Sequence, residues 1–318
     1  MARNVNGLYT DLLYNLREAP KEDTRNGRVR SVPYPFSCHV ENPMERVLFH
    51  PVRKANPYFH LMEAVWMLAG SKDGRWLEQF NAGIMNYAEP DGTINGAYGH
   101  RWRDHFHQDQ IVNVVKEMQA NPSSRQAVIA MYDPAVDYRN EWKDRPCNTH
   151  IYFRVVGGKL DMTVCNRSND AVWGLAGANI VHMTVLQELI ASAVRMPIGR
   201  YWVVTNNLHI YEQHWPLLQS PTQFDFYEKS GGGVITVKPL PMLTPKEEWY
   251  ELLYECEQFV KNDGGYPCRN NWLKNTVTPM FEHYQCRRNG DKTTYDTNEV
   301  EATDWRLAAA LWRDWNDN

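Results

Sequence analysis

The stretch HIYFRVVGGKLDMTV, residues 150–164, alternates apolar and other side chains on either side of Gly157-Gly158. Alternation at period two suits a strand with one buried face, and paired glycines supply the positive φ angles of a two-residue type I′ turn. A helix cannot use this pattern, so the chain must contain an antiparallel hairpin. In the simplest register Val156 faces Lys159, Phe153 faces Met162 and Ile151 faces Val164. Carried outwards, the same count sets Cys147 opposite Ser168, with Arg167 and Asp170 close by. A guanidinium beside a thiol lowers its pKa and favours the nucleophilic thiolate. Cys147 is therefore a candidate nucleophile. The competing reading, a free cysteine that merely ends a buried strand, is equally open at this point.

Two helices flank this hairpin in sequence. In NPYFHLMEAVWMLAG, residues 56–70, Asn56 suits the cap, Pro57 the first helical position and Gly70 the exit. Phe59, Met62 and Trp66 share a face at helical spacing, and Glu63 lies on it too. A carboxylate in an apolar stripe is costly to bury unless hydrogen-bonded. Periodicity alone favours a Glu63 that sits at the stripe's edge and reaches water. The second helix, NIVHMTVLQELIASAV from residue 179, has Val181, Val185, Leu186, Leu189 and Ile190 as its core face. Asn179 stands at its start, where an N-cap role is the simplest explanation.

The chain has 318 residues and a formal net charge of -4, so bulk charge does not make it a nucleic-acid binder, and any phosphate must be held by a few placed arginines. Cysteines 38, 147, 165, 256, 268 and 286 lack CxxC spacing, which speaks against a metal site and against a disulfide framework. No apolar run approaches a membrane span and no secretory h-region follows Met1, so a soluble cytoplasmic protein is expected. Residues 217–245 are rich in Gly and Pro and read as irregular structure with a strand or two. The tail, EATDWRLAAALWRDWNDN, reads as a short helix.

A proline-cysteine pair, an Arg-Ser-x-Asp about twenty residues on, a Gly-Leu-x-x-x-Asn and then NNLHIYEQH follow one another in this chain. Upstream stand LMEAVWMLAG, GAYGHRWR and SSRQAVIAMYDP. In order and spacing this set resembles the thymidylate synthase superfamily over roughly residues 20–215, leaving 216–318 as a divergent part of what reads as one catalytic domain. The resemblance implies an α/β (α+β) fold with a large mixed sheet packed by helices, the sheet face forming a homodimer interface. It also implies a chemistry. A cysteine thiolate, here Cys147, adds to C6 of a pyrimidine nucleoside monophosphate, and C5 then takes a one-carbon unit from 5,10-methylenetetrahydrofolate. By the same resemblance Arg25, Arg167, Ser168 and a partner subunit's copy of Arg125 hold the phosphate. Asn179 reads the pyrimidine edge, and His209 and Tyr211 bind the sugar hydroxyl. Asp170 and Tyr87 lie on the folate side, Glu63 organises waters for proton transfer, and Tyr98 lies near the cysteine. Taken singly, His209, Tyr211 and Arg125 are as well explained as structural or solvated residues.

The chain also departs from the methylating members. Arg125 is followed by Gln126 where they have a second arginine, and Tyr152 stands where they have a glutamine five residues after the cysteine. GLAGAN holds one residue more than their pattern, which puts Asn179 on a shifted backbone. Ile84 and Tyr87 replace two folate-side tryptophans, and no aliphatic closing segment ends the chain. These changes cluster where water must be kept out, and water at the C5 methylene gives a hydroxymethyl rather than a methyl group. RSNDAVWGLAGAN also resembles the pyrimidine nucleotide hydroxymethylases familiar from bacteriophages. Deoxyuridylate or deoxycytidylate 5-hydroxymethylation is the expected activity, with reductive methylation of dUMP the alternative. Two other classes are a cysteine hydrolase or transamidase pairing Cys147 with a histidine such as His150 or His209, and a non-catalytic nucleotide- or RNA-binding relative that tolerates loss of the thiol.

Overall fold

The computed structural model describes residues 1–139, 142–219, 221–227, 236–290 and 297–317. Its strands are β1 (Lys21–Thr24), β2 (Gly27–Ser31), β3 (Phe36–Val40), β4 (Val128–Ala130), β5 (Asn148–Val156), β6 (Lys159–Asn166), β7 (Asn169–Asp170), β8 (Ile198–Thr205) and β9 (Leu208–Tyr211). The helices are α1 (Val5–Arg17), α2 (Pro57–Leu68), α3 (Arg75–Glu78), α4 (Tyr98–Arg103), α5 (Gln110–Ala120), α6 (Pro134–Asp137), α7 (Asn179–Ala193), α8 (Trp249–Lys261), α9 (Thr278–Arg288) and α10 (Thr303–Asp317).

β5 and β6 form the hairpin in the expected register, Val156 on Lys159, Phe153 on Met162 and Ile151 on Val164. Gly157 and Gly158 both take positive φ, +58° and +76°, as a type I′ turn requires. The outward extension of that register needs correction. A β-bulge lies between Asn148 and His150, so Asn148 faces Asn166. The extra residue is Thr149, whose carbonyl accepts from the amides of Met131 and Tyr132 at 2.8 and 3.2 Å. Its hydroxyl donates to the Cys165 carbonyl at 3.1 Å. Beyond the bulge the count has moved by one, the Arg167 amide donates to the Cys147 carbonyl at 2.9 Å, and Cys147 faces Arg167 rather than Ser168.

The strands form two sheets. A five-stranded sheet runs β3-β8-β6-β5-β4 and is mixed, because β6 and β8 are parallel while the other neighbours are antiparallel. A four-stranded sheet runs β1-β2-β9-β7. On the inner face of the larger sheet Ile129, Ile151, Phe153, Met162, Val164, Tyr201 and Val203 are buried. On its outer face Val128, Tyr152, Arg154 and Val204 are exposed. α7 covers β6 and β8 on the inner side, and α2 lies on α7.

α2 begins as its sequence predicts: Asn56 accepts the Phe59 amide at 3.1 Å, Pro57 takes the first position and Gly70 leaves with φ +69°. It has no wet face, however. All twelve of its residues are buried, because α8, α9 and α10 pack on the sides that α7 leaves free. Glu63, expected at a solvent edge, is 8% exposed. The divergent last third of the chain thus completes the burial of the helix that carries Glu63. The tail is a full helix, α10, anchored by Lys54 Nζ donating to the Trp315 carbonyl at 2.6 Å and by Trp312 edge-on to Tyr58. The strands expected within 217–245 fall partly on residues outside the described set, and the described part of that segment after the 3-10 helix Glu212–Gln219 is irregular.

Asn179 is not an N-cap. A π-helical segment, Ala171–Ala178, runs directly into α7, and the cap is Asp170, whose Oδ1 accepts the amides of Val172 and Trp173 at 2.7 and 2.5 Å. The extra residue of GLAGAN lies in this segment, with Gly177 at φ -105°, ψ -118° absorbing the distortion. One residue inserted into an α-helix is commonly taken up as such a bulge.

Candidate active site

Cys147 sits just before β5, where the bulge turns the chain. Its amide and that of Asn148 both donate to the Tyr98 hydroxyl, at 3.1 and 3.2 Å, which fixes the loop against the first turn of α4. Arg167 clamps the other side, donating from Nε to the Pro146 carbonyl and from Nη2 to the Arg145 carbonyl, each at 3.0 Å. The residues before the cysteine are held as firmly. Asp144 accepts the Gly96 amide at 3.1 Å, and Asn95 donates to the Asp144 carbonyl at 3.1 Å. Arg101, fully buried, makes a fork onto Asp137 at 2.7 and 2.8 Å and reaches the Met131 carbonyl at 2.6 Å. A bidentate guanidinium–carboxylate pair fixes orientation as well as charge.

Electrostatics at the thiol differ from the sequence expectation. Burial raises the Cys147 pKa, Arg167 lowers it, and Asp144 and Asp170 raise it further; the net direction is upward. The guanidinium is adjacent, as expected, but it does not outweigh desolvation. Asp144 is itself shifted upward, chiefly by burial.

Next to Tyr98 and Asp144 opens a cavity of about 180 Å³ whose polar lining includes Glu63, Asn179, His182, Tyr98 and Asp144. Ile84 and Tyr87 stand on another side, and Tyr87 is 54% exposed. α2 supplies Glu63 and α7 supplies Asn179 and His182, so the packing of these two helices sets the separation of the three side chains. Asn179 Nδ2 donates to Asn169 Oδ1 at 3.4 Å across Gly174. A Cβ at Gly174 would meet that Asn169 oxygen at 2.3 Å and Asn179 Nδ2 at 3.2 Å, so only glycine allows this approach. Despite the inserted residue, Asn179 points into the cavity with Glu63.

The strand pair β7–β9 brings Asp170 beside His209. His209 Nδ1 contacts Asn207 Oδ1 at 2.8 Å and Ser168 Oγ at 3.4 Å, and Asn207 donates to Ser31 Oγ at 2.8 Å. Burial lowers the His209 pKa. Tyr211 lies close enough to Tyr87 and Cys147 for their charges to affect it, and within hydrogen-bond reach of Asn26. Arg25, next to Asn26 in the exposed β1–β2 turn, is thereby at the same end of the molecule. Asp170 Oδ2 is buried without a partner. The cysteine-hydrolase pairing finds no geometry: His209 is engaged with Asn207 and Ser168, and His150 stacks on Tyr152.

Arg125 does not join this group. It is exposed on the segment before β4, and the β4–β5 register sets residue 125 alongside Val155, eight residues from Cys147. At about 3.3 Å per residue that is roughly 26 Å. The sequence reading also missed Asp144, His182, Asn169 and Asn207. His182 was within reach, being one helical turn beyond Asn179, whereas nothing in the sequence ties Asp144 to Gly96 or Asn207 to Ser31.

The family model described as thymidylate synthase matches residues 18–227, which hold every one of these side chains. The chain belongs to the thymidylate synthase family. A deoxyuridylate hydroxymethyltransferase of Pseudomonas phage M6 is 35% identical over 326 residues, covering 98% of this chain and 92% of that protein. A second protein of that name, from Bacillus phage SP01, is 34% identical over 216 residues, covering 64% of this chain and 56% of its own length. Similarity to the M6 protein therefore extends through α8, α9 and α10, beyond the family match. Among the described residues no helix is long and apolar enough to cross a membrane, and no cluster of His, Cys, Asp and Glu suits a metal.

Proposed function

We propose that this thymidylate synthase family member is a deoxyuridylate 5-hydroxymethylase, acting in the cytoplasm as a homodimer of single-domain subunits. The observation that carries the reading is the placing of Cys147, held between Tyr98 and Arg167, beside a cavity bearing Asn179 and Glu63. Near-complete alignment with the M6 enzyme supports the choice of hydroxymethylation. Cys147 Sγ adds to C6 of the pyrimidine. Arg167 with Ser168, Arg25 and the partner subunit's Arg125 take the phosphate, whose charge is best met by forked or clustered donors. His209 and Tyr211 hold the sugar hydroxyl. Asn179 offers a donor and an acceptor side by side, which matches N3–H and O4 of uracil.

The residues present fit a reduced folate. Asp170 has a buried carboxylate oxygen without a partner, suited to a ring N–H edge, and Tyr87 offers an exposed aromatic face at the cavity mouth. When bound, 5,10-methylenetetrahydrofolate supplies the one-carbon unit. Glu63 holds water and moves protons at the base; Tyr98 keeps the Cys147 loop in place. Ile84 and Tyr87 leave the cavity mouth open to water, which favours capture as an alcohol.

Mass analysis of products from dUMP, dCMP and CMP with methylenetetrahydrofolate tests the reading. The expected result is 5-hydroxymethyl-dUMP, with no rise in near-ultraviolet absorbance from dihydrofolate. Stoichiometric dihydrofolate with dUMP would make the enzyme a methylating synthase, and turnover of dCMP alone would reassign the base.

A further inference from the structure

His182 is buried, 2% exposed, and neither ring nitrogen has a hydrogen-bond partner. A buried imidazole with both nitrogens unsatisfied costs several kilocalories per mole unless a water or a ligand completes it. Its Nδ1 lies 3.5 Å from Glu63 Oε2, which is also buried and unpartnered. The ring packs against Tyr98 with centroids 5.7 Å apart, and both His182 and Glu63 line the cavity that Asn179 enters one turn earlier on α7. Two adjacent unfilled polar atoms facing a cavity that also carries Asn179, Tyr98 and Asp144 mark the seat of a water with at least two partners. Behind this pair His60, on α2, is buried and kept neutral, its pKa lowered to about 3 by burial, with Arg53 and His182 adding to the shift. It therefore contributes no competing charge.

We propose that His182 and Glu63 together hold the water whose oxygen becomes the 5-hydroxymethyl group, with His182 as its general base. This rests on the hydroxymethylase reading. In the step, the water oxygen bonds to the exocyclic C5 methylene and its proton passes to His182. The methylene π pair moves through C5 towards the C4 carbonyl. The returning pair forms the C5–C6 double bond and expels the Cys147 thiolate from C6. His182 then returns its proton to solvent, and no oxidant or reductant is needed. In the reverse direction the product's own hydroxyl leaves as water, so the step can be followed without folate.

The test incubates 5-hydroxymethyl-dUMP with enzyme in ¹⁸O-labelled water and no folate, and reads label in the nucleotide by mass. Wild type should exchange the hydroxyl oxygen. His182→Ala should slow exchange by about a hundredfold or more, the lower end of general acid–base effects. His182→Gln, which preserves bulk and a hydrogen bond to water without a comparable base, should be slowed similarly. dUMP affinity should stay within about threefold in both variants, and release of the C5 hydrogen of dUMP in the presence of folate should fall by less than the exchange does. Exchange at the wild-type rate in the variants overturns the proposal, as does a loss matched by lost dUMP binding. Failure of the wild-type enzyme to exchange, together with dihydrofolate formation, instead sinks the hydroxymethylase reading itself.

Discussion

At Cys147 burial raises the thiol pKa, Arg167 pulls it down, and the carboxylates of Asp144 and Asp170 add to the rise. A thiol with a raised pKa holds less thiolate at neutral pH, and thiolate is the reacting form. Iodoacetamide should therefore alkylate Cys147 in the free enzyme more slowly than free cysteine at pH 7.5, with a rate still climbing above the ordinary thiol range. Arg167→Ala removes the one cation named among these influences and should slow alkylation further, which peptide mass mapping across a pH series would show. An unchanged rate would mean that the guanidinium does not act on the sulfur. The Cys147–Arg167 pairing was legible in the hairpin pattern to within one residue. The missing residue was Thr149, because its bulge depends on Met131 and Tyr132, which no local pattern connects to it. The thiol's upward shift was illegible for the same reason: periodicity locates neighbours on a strand, whereas desolvation is set by everything folded around it.

Among the elements, α10 shows how a readable helix can have an unreadable role. Its residues suggested a helix, but its docking rests on Asp304, 1% exposed, which accepts the Tyr227 hydroxyl at 2.9 Å. Burial pushes the Asp304 carboxyl from 3.8 up to about 6. A carboxyl whose folded pKa is raised binds its proton more tightly in the folded state, so its stabilising effect is complete below the unfolded value and is lost as pH rises through about 6. A rise from 3.8 to about 6 corresponds to about 3 kcal/mol. Asp304→Asn carries no such charge. The variant should therefore gain about 3 kcal/mol relative to wild type between pH 3.5 and pH 7, measured by denaturant unfolding at each pH. Parallel stability curves would show that the Asp304 carboxyl titrates alike in the folded and the unfolded chain. α2 was legible in its cap and exit, yet its lack of a wet face was not, since the helices that cover it come from residues 249–317.

For the whole molecule, the outer face of the five-stranded sheet presents Val128, Tyr152, Val156 and Val204 to solvent, and Arg125 stands well away from the Cys147 of its own chain. In the homodimer proposed above, a second copy laid on that face would cover the apolar residues and bring its Arg125 to the site that holds Arg167. The enzyme is expected to sediment as a dimer at micromolar concentration. Mixing inactive Arg125→Ala and Cys147→Ala chains should restore activity, to about a quarter of wild type if subunits exchange freely, since half of the dimers then carry one intact site of two. A monomer, or mixtures that stay inactive after exchange, would exclude sharing of Arg125. The order of motifs carried the family and most of the site in sequence; the split into two sheets and the enclosure of α2 depend on contacts far apart in the chain.

The π-helical segment ahead of α7 bears on how this chain should be matched to others. Gly177 takes up the additional residue, and Asn179 and His182 still aim at the cavity. Number along the chain and direction of the side chain are uncoupled at that point. An alignment that enforces continuous helical phase through 171–178 will place Asn179 one position off and pair His182 with the wrong neighbour in every relative that lacks the residue. Placing the gap inside the segment keeps both in phase, and makes the residue one turn after Asn179 the position to compare between enzymes that add water and enzymes that exclude it.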